Sequence, residues 1–323
     1  RVTLNQRHPL RRIVPSISIS PTVGESDRFD LKPSSVVGSI HLDDLDIVIL
    51  PKVPFDRLLF ILSYSLGRVR GVAASTDLEQ ADDLVEAIVA AFVHQVGRAI
   101  ARGVQQDYRT IDESALTLRG RLRIGDQIRR RFGPFPPAEI TYDDYTVDTD
   151  MNRILRAATD CLLRMRLRSS RSRASLRAIE ARLDGVSLVP FDPRRIPTIR
   201  FTRLNERYRG AVGLATLILR SSSFDLGHGD APASSFLVDM NAAFEDFVVE
   251  ALRDALRSTP GVLVQGARGH SLHLDLETRI KLEPDLSFWV HGECRWLGDV
   301  KYKRVRSFEY PNADLYQVTS YAI

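Results

Sequence analysis

The sequence predicts a mixed α/β fold in three segments: a β-rich N-terminal module over 1–77, a mainly helical, basic middle region over 78–230, and a C-terminal α/β domain over 231–323. Two observations predict this fold class. Short alternating or β-branched runs bounded by Pro and Gly dominate the first segment, whereas helical spacing dominates the second. After a Gly/Ser/Pro/Asp-rich stretch at 221–235, interpreted as a linker, the pattern becomes helix, three strands and helix.

The N-terminal module owes its β prediction to "SISIS" and "DLDIVILP", in which apolar residues alternate or are β-branched. The spacing then changes in "FDRLLFILSYSLG" (55–67), which predicts a helix with Gly67 as its C-cap. This module is therefore expected to be sheet followed by one helix.

The middle region is predicted to begin with a long helix over 78–107, whose acidic start and basic end suit the helix dipole. Residues 144–168 are interpreted as a strand or loop entering a second helix. Nine arginines but only two acidic residues lie between 151 and 183. Such a face is either solvated or follows a phosphate backbone, and the sequence leaves both interpretations open.

The composition narrows the class of protein. A hydrophobic fraction of 44% in 323 residues is enough for packed cores, and the net charge of +4 is compatible with nucleic acid without proving it. Two cysteines without a CxxC motif predict a reducing, cytoplasmic setting and no zinc cage. The longest apolar stretches are too short to span a bilayer, so no membrane role is expected. Because GxxxxGK[ST] is absent, we expect no P-loop nucleotide site in this chain.

The segment "EPDLSFWVHGECRWLGDVKYK" (283–303) carries the candidate chemistry. Asp299 and Lys301 are two apart, so on a strand their side chains would share one face while Val300 turns into the core. Asp285 stands at the start of the preceding strand, and "HGE" is predicted to form the hairpin turn between the strands. The two carboxylates are therefore expected on neighbouring strands.

A third carboxylate, Glu245, lies in the apolar stripe of the helix predicted from about Asp239, where it needs a partner. Its neighbour Asp246 is the competing candidate and is expected to be more exposed. Clustered carboxylates predict Mg²⁺, which prefers oxygen ligands, with Lys301 orienting a water molecule or stabilising charge. The alternative is an exposed hairpin whose acids and lysine form weak surface ion pairs.

Other polar residues receive lesser roles. Gln317 and Tyr321 are four apart on a predicted helix, so they would share a face as supporting residues. Asp148, in an acidic stretch that only loosely resembles a calcium loop, is interpreted as a cap or turn residue. Cys161 is expected in the core, and Cys294 is not expected to be a nucleophile because no His stands at a suitable spacing.

The set Pro284-Asp285, then Asp299-Val300-Lys301, with Glu245 on the leading helix, resembles the PD-(D/E)xK nuclease superfamily. The pair Gln317 and Tyr321 is similar to the QxxxY element of its RecB-like branch. "FLVDMNAAFEDFVVEAL", "VGSIHLDDLDIVILPKVPFDRLLFILSYSLG", "RGVQQDYR", "GRLRIGDQIRRR" and "DTDMNRILRAATDCLL" resemble segments of the McrC family, in the same order.

The McrC resemblance implies a restriction-endonuclease-like C-terminal domain in the nuclease subunit of a prokaryotic McrBC-type restriction system. It implies Mg²⁺-dependent cleavage of modified double-stranded DNA. It also implies a partner, a McrB-like AAA+ GTPase hexamer, which binds the GTP and engages the N-terminal module, including Pro51 and Lys52. Two alternatives stay open: a regulatory activator of the AAA+ motor that does not cut, and a DNA-binding scaffold.

Overall fold

The computed structural model describes residues 2–3, 18–22, 28–32, 35–42, 45–65, 84–130, 137–226, 232–266, 272–273, 277, 279 and 281–303. The strands are β1 Val2–Thr3, β2 Ser18–Pro21, β3 Arg28–Lys32, β4 Val36–Leu42, β5 Leu45–Ile49, β6 Asp107–Ala115, β7 Arg121–Leu122, β8 Ala138–Thr146, β9 Ser222–Leu226, β10 Pro232–Asp239, β11 Val262–Gly266, β12 Leu272–His273, β13 Lys281–Leu282, β14 Leu286–Val290 and β15 Glu293–Gly298. The helices are α1 Phe55–Ser65, α2 Leu84–Ala99, α3 Ile124–Arg130, α4 Asp150–Leu163, α5 Ser170–Arg182, α6 Arg209–Ser221 and α7 Met240–Ala255, with a 3₁₀ turn at Glu206–Tyr208.

The mixed α/β prediction is confirmed, with several small antiparallel sheets. None of the described helices combines the length and the apolar character that crossing a bilayer requires.

The chain divides into two compact units. Unit 1 comprises Arg1–Ala91, Met165–Arg168 and Ser221–Ile323, and unit 2 comprises Phe92–Arg164 and Ser169–Arg220. The first and last parts of the chain therefore share one unit, which differs from the three consecutive segments predicted from the sequence.

A four-stranded antiparallel sheet in unit 1, ordered β5-β4-β10-β9, explains this difference. β10 pairs with β4 from Ala233↔Leu42 to Asp239↔Val36. The described parts of 221–235 lie in α6, β9 and β10 and are therefore not a linker, although the boundary expected at this stretch coincides with the change of unit at Ser221. Gly38 sits at the closest approach of the β4 and β10 backbones, with φ +143°, and a Cβ atom there would collide with the Phe236 carbonyl.

Apolar residues bury one face of the N-terminal strands. Ile19, Phe29 and Ile40 are buried together, and residues of β5 such as Ile47 and Ile49 pack against them. The alternation of "DLDIVIL" produces this face because successive strand residues point to opposite sides. The helix predicted at 55–67 is confirmed as α1, while Gly67 lies outside the described residues.

Unit 2 contains a three-stranded antiparallel sheet, β6-β8-β7, together with α3 to α6. The prediction of a mainly helical middle region is thus only partly right. The helix predicted over 78–107 is α2, which ends at Ala99; the chain then turns through Gly103 with φ +96° and enters β6. β6 is rich in charged residues and pairs along its whole length with β8. The composition of β6 alone does not predict this long-range pairing.

Candidate functional site

The candidate site is built on the β14–β15 hairpin of unit 1. The two strands are joined by His291 and Gly292, whose φ angles of 51° and 86° are those of a type I′ turn. The His291 amide donates a hydrogen bond to the Gly261 carbonyl oxygen at 2.8 Å, which anchors the turn. The predicted "HGE" turn is confirmed.

A one-residue bulge sets which residues face each other across this hairpin. Near the turn the pairing is Trp289↔Cys294, and beyond the bulge it continues to Leu286↔Gly298. Asp285 directly precedes Leu286 and Asp299 directly follows Gly298, so the two aspartates stand opposite each other at the open end of the hairpin. Without the bulge, Asp285 would stand opposite Gly298 instead. The extra residue therefore aligns the two carboxylates.

The two aspartates flank the strands rather than lying within them, because β15 ends at Gly298. The predicted juxtaposition of Asp299 and Lys301 nevertheless holds: the Lys301 Nζ atom lies 2.6 Å from Asp299 Oδ2. The Asp299 side chain is only 4% exposed, whereas that of Lys301 is 39% exposed. The ammonium group therefore pairs with a buried carboxylate and still reaches the surface.

Val300 fixes the segment between these residues. Its amide donates a hydrogen bond to Asp285 Oδ2 at 2.9 Å. Its side chain packs against the buried cluster of Val249, Val264 and Leu286, as the alternation predicted. One Asp285 oxygen thus accepts a hydrogen bond from the backbone of the Asp299–Lys301 segment. This bond links the two chain segments at the open end of the hairpin.

Glu245 is presented by α7, which begins at Met240 with Asp239 as its N-cap. The Asp239 carboxylate accepts hydrogen bonds from the Asn241 amide and from the Ser35 hydroxyl, both at 2.9 Å. Glu245 is half-buried on this helix and Asp246 is exposed, as predicted. The helix start near Asp239 is also confirmed.

The site holds more carboxylates than cations, and the pKa values of Asp285 and Glu245 are both raised. Burial raises the pKa of Asp285, and repulsion from Asp299 and a hydrogen bond to it raise this pKa further, against the effects of the Val300 amide and Lys301. Burial also raises the pKa of Glu245, and repulsion from Asp285 and Asp239 adds to it. The hydrogen bond to Asp299 raises the pKa of Lys301, so the ammonium stays charged. A cation near Asp285 would relieve this repulsion.

Metal-binding capacity rests on these carboxylates. Among the described residues, no three or more His, Cys, Asp or Glu side chains are grouped so that they could hold a metal ion. The described geometry offers the adjacent pair Asp285 and Asp299, while Glu245 acts on Asp285 electrostatically. Carboxylate oxygens with excess negative charge fit a hard cation such as Mg²⁺, which keeps several of its waters. The three-carboxylate ligand set thus stays a proposal.

The remaining predicted residues fall into two groups. Gln317 and Tyr321 lie outside the described residues. Cys161 is buried on α4, which confirms its place in the core. The Cys294 thiol lies 3.8 Å from the Trp296 carbonyl oxygen.

Sequence reasoning missed a small aromatic group beside Lys301. The ring of Tyr302 lies 5.8 Å from that of Phe244 on α7. The Lys52 ammonium stands 5.4 Å from the centre of the Tyr302 ring, a cation–π contact. The only sequence signal was the aromatic Tyr302 next to Lys301, and its partner lies some 250 residues earlier in the chain.

Comparison with known proteins relates the chain to one protein family. The family described as McrBC 5-methylcytosine restriction system component matches residues 31–323. The type IV methyl-directed restriction enzyme EcoKMcrBC of Escherichia coli (strain K12) is 21% identical over 284 residues, which cover 84% of this chain and 81% of that protein.

Two solved structures are also similar. One is the half-complex from a tetradecameric assembly of Thermococcus gammatolerans McrB AAA+ hexamers with bound McrC; it matches with a TM-score of 0.51 and 23% identity, over 92% of this chain and 70% of that one. The other is the cryo-EM structure of the Thermococcus gammatolerans McrBC complex, with a TM-score of 0.47 and 25% identity, over 71% and 68%. The family match spans nearly the whole sequence, so the chain belongs to the McrBC 5-methylcytosine restriction system component family.

Proposed function

We propose that this chain is the Mg²⁺-dependent DNA endonuclease subunit of a McrBC-like restriction complex. One observation carries the proposal: the Asp285 and Asp299 carboxylates stand opposite each other at the open end of a hairpin, with the Lys301 ammonium 2.6 Å from Asp299. Two adjacent carboxylates can hold a metal ion that polarises a phosphate, and a lysine can stabilise the negative charge that develops. Family membership agrees with this reading.

Each residue of the proposed site has a separate task. Asp285, Asp299 and Glu245 would hold Mg²⁺, since these three carboxylates share one cation, Lys301, which is paired with Asp299. When bound, the metal would polarise a phosphate oxygen and lower the pKa of a coordinated water. Lys301, charged and partly exposed, would orient that water or stabilise negative charge on the phosphate. Gln317 and Tyr321 are proposed as supporting residues.

The proposed partner is an AAA+ GTPase of the McrB type. The fold similarity to a McrC chain bound to McrB AAA+ hexamers supports this partner. The N-terminal module, including Pro51 and Lys52, is the proposed docking part. Lys52 contacts the Tyr302 ring, so substitutions at Lys52 would also perturb the neighbourhood of Lys301.

The test is cleavage of methylated and unmethylated plasmid DNA with Mg²⁺, GTP and the AAA+ partner, comparing wild type with Asp299→Asn. The proposal expects the wild type to cut the methylated plasmid and the variant to leave it intact. The matched control is Asp246→Asn, which removes a neighbouring exposed carboxylate and should leave cleavage unchanged.

A GTPase measurement in the same reactions separates the two candidate functions. If Asp299→Asn abolishes cleavage but still stimulates the partner's GTPase, the nuclease and activator roles reside in different parts of the chain. If the wild type stimulates GTPase and never cuts, the activator function replaces the nuclease proposal.

A further inference from the structure

The contacts in the structure show which groups bind most arginines of the stretch 151–183. Seven of its nine arginines are engaged by carboxylates or by backbone carbonyls at helix ends. They are Arg153, Arg156, Arg164, Arg166, Arg173, Arg177 and Arg182. For example, Arg156 donates to the Glu180 and Leu183 carbonyl oxygens at 2.9 and 3.0 Å. Because these seven arginines already have partners within the chain, this stretch is a weaker candidate for a phosphate-binding surface than a stretch of unpaired arginines.

A second set of arginines, which sequence reasoning passed over, lies between α5 and α6. Residues 192–207 contain five arginines and two acidic residues, whereas the whole chain has a formal net charge of only +4. Arg194, Arg195, Arg200 and Arg203 are exposed. Among the described residues, their side chains have no hydrogen-bonding or ion-pair partner. We call the segment 192–207 the basic strap.

Both acidic residues of the basic strap accept hydrogen bonds from neighbouring groups. The Asp192 carboxylate accepts a hydrogen bond from the Arg194 amide at 2.9 Å, and the Arg195 amide donates to the Asp192 carbonyl oxygen at 2.8 Å. The Glu206 carboxylate is paired with Arg209 through two hydrogen bonds of 2.7 and 2.9 Å. Arg209 therefore balances the charge of Glu206, and the single carboxylate of Asp192 cannot balance four exposed arginines.

Two turns hold the exposed arginines in place although the strap has no helix or strand before Glu206. The first is the Asp192 turn, which presents Arg194 and Arg195. In the second, the Asn205 side chain accepts from the Thr202 amide at 2.7 Å and donates to the Arg200 carbonyl oxygen at 3.2 Å. Long ordered segments without regular structure are uncommon and are usually functional.

The two arginine pairs are close enough in sequence to reach one short stretch of duplex. Arg195 and Arg200 are five residues apart, so their Cα atoms are separated by at most about 17 Å. This upper limit corresponds to about five base-pair steps of double-stranded DNA. The two pairs could therefore contact phosphates of one short stretch of duplex, and guanidinium groups bind phosphate through paired hydrogen bonds.

We propose that the basic strap is a DNA-backbone contact surface, which binds phosphodiester groups of duplex DNA without reading base sequence. The inference rests on the proposed DNA substrate, but it does not require that the chain cut DNA. Binding would be electrostatic and hence strongly dependent on salt. The strap would hold DNA, and the Asp285–Asp299 site would act on it separately.

The test is fluorescence anisotropy of a labelled DNA duplex with the full chain in EDTA, so that no cleavage takes part. The variant Arg194→Gln/Arg195→Gln removes two unpaired charges of the strap. The control Arg177→Gln/Arg119→Gln removes two charges of the same unit that are paired with Glu180 and Asp144. Because both variants lower the net charge equally, any difference between them reports position rather than total charge.

The strap variant is expected to bind about tenfold more weakly than wild type near 0.1 M salt, and the slope of log K against log salt should fall by about two. The control should keep the wild-type slope. The proposal is overturned if both variants behave alike, if the wild type does not bind duplex DNA at low salt, or if the strap variant loses only the AAA+ partner. Loss of cleavage by Asp299→Asn with unchanged binding would separate the two sites.

Discussion

Two partly buried aspartates, Asp148 in unit 2 and Asp285 in unit 1, lie in very different hydrogen-bonding environments. Asp148 follows β8 and is saturated by donors. Its carboxylate accepts hydrogen bonds from Arg153 Nε at 2.8 Å, from Arg109 Nη1 at 3.1 Å, and from the amide and hydroxyl of Ser187 at 2.8 and 2.9 Å. The interpretation of Asp148 as a turn residue rather than a calcium ligand agrees with this arrangement.

Asp285 has the opposite environment. One of its oxygens accepts a single amide hydrogen bond from Val300, and a second carboxylate, Asp299, stands beside it. The Arg153 guanidinium and the Ser187 donors hold the pKa of Asp148 well below its usual range, whereas burial and Asp299 raise that of Asp285. A carboxylate that is stabilised in this way contributes to folding, while a raised pKa beside a second carboxylate is the pattern expected of a functional site, as proposed above.

The largest expected effect separates the two aspartates by activity. Asp285→Asn should lower DNA cleavage by the complete complex about a thousandfold, because it removes a ligand charge. Asp148→Asn should lower cleavage less than about tenfold, since that residue holds structure and not substrate. Initial rates of plasmid linearisation measure both. Equal losses would contradict the division between the two aspartates.

The second effect separates them by stability. Asp148→Ala should lower the free energy of unfolding by about 3 kcal/mol, because the largely buried Arg153 loses its close partner and keeps only the 3.8 Å contact with Asp150. Asp285→Asn should leave stability unchanged or raise it in metal-free buffer, since it removes repulsion from Asp299. Urea unfolding in EDTA, followed by circular dichroism, makes the comparison. A strongly destabilised Asp285→Asn would indicate that the pair has a structural role.

A third prediction concerns the cation of the site. Lys301→Ala should lower cleavage about a hundredfold, and Lys301→Arg should restore part of it, because charge is kept while the geometry changes. Lys281→Ala is the matched control, since Lys281 is an exposed lysine ion-paired with Glu283. Metal affinity, measured by calorimetry, should change far less than the cleavage rate. If Lys281→Ala and Lys301→Ala are equally active, Lys301 has no special role.

The smallest effect is a pH dependence. The pKa of Asp148 is lowered in the folded state, so its stabilising contribution is present above the ordinary aspartate pKa of about 3.9 and is lost as the pH falls towards the depressed value. The difference in unfolding free energy between wild type and Asp148→Asn should therefore shrink by about 1 kcal/mol per pH unit in this range. A difference that stays constant down to pH 3 would contradict the assigned cause.

Local pattern was enough to predict the elements of the candidate site. The PD and DxK spacing, the turn residues "HGE" and the apolar stripe of α7 each depend on neighbours in sequence, and the structure has the turn, the Asp299–Lys301 contact and the half-buried Glu245. The alignment of Asp285 with Asp299 also depends on the bulge in β15, which no residue in the segment signals.

Long-range pairing could not be predicted in the same way. β10 pairs with β4 across nearly 200 residues, whereas the local composition of the stretch rich in Gly, Ser and Pro before α7 predicts a linker. Charged β6 was missed because its partner β8, and not its own composition, makes it a strand. Counting arginines along the sequence likewise favours 151–183, where most of them have partners in the structure, over the basic strap, whose exposed arginines Arg194, Arg195, Arg200 and Arg203 have none among the described residues.

The most direct test of the central claim is a calorimetric Mg²⁺ titration of the wild type, Asp285→Asn and Asp148→Asn at neutral pH. If Asp285 and Asp299 hold the cation, the wild type and Asp148→Asn should bind Mg²⁺, and Asp285→Asn should lose binding. Equal binding by all three proteins would contradict the claim that Asp285 and Asp299 form the metal site.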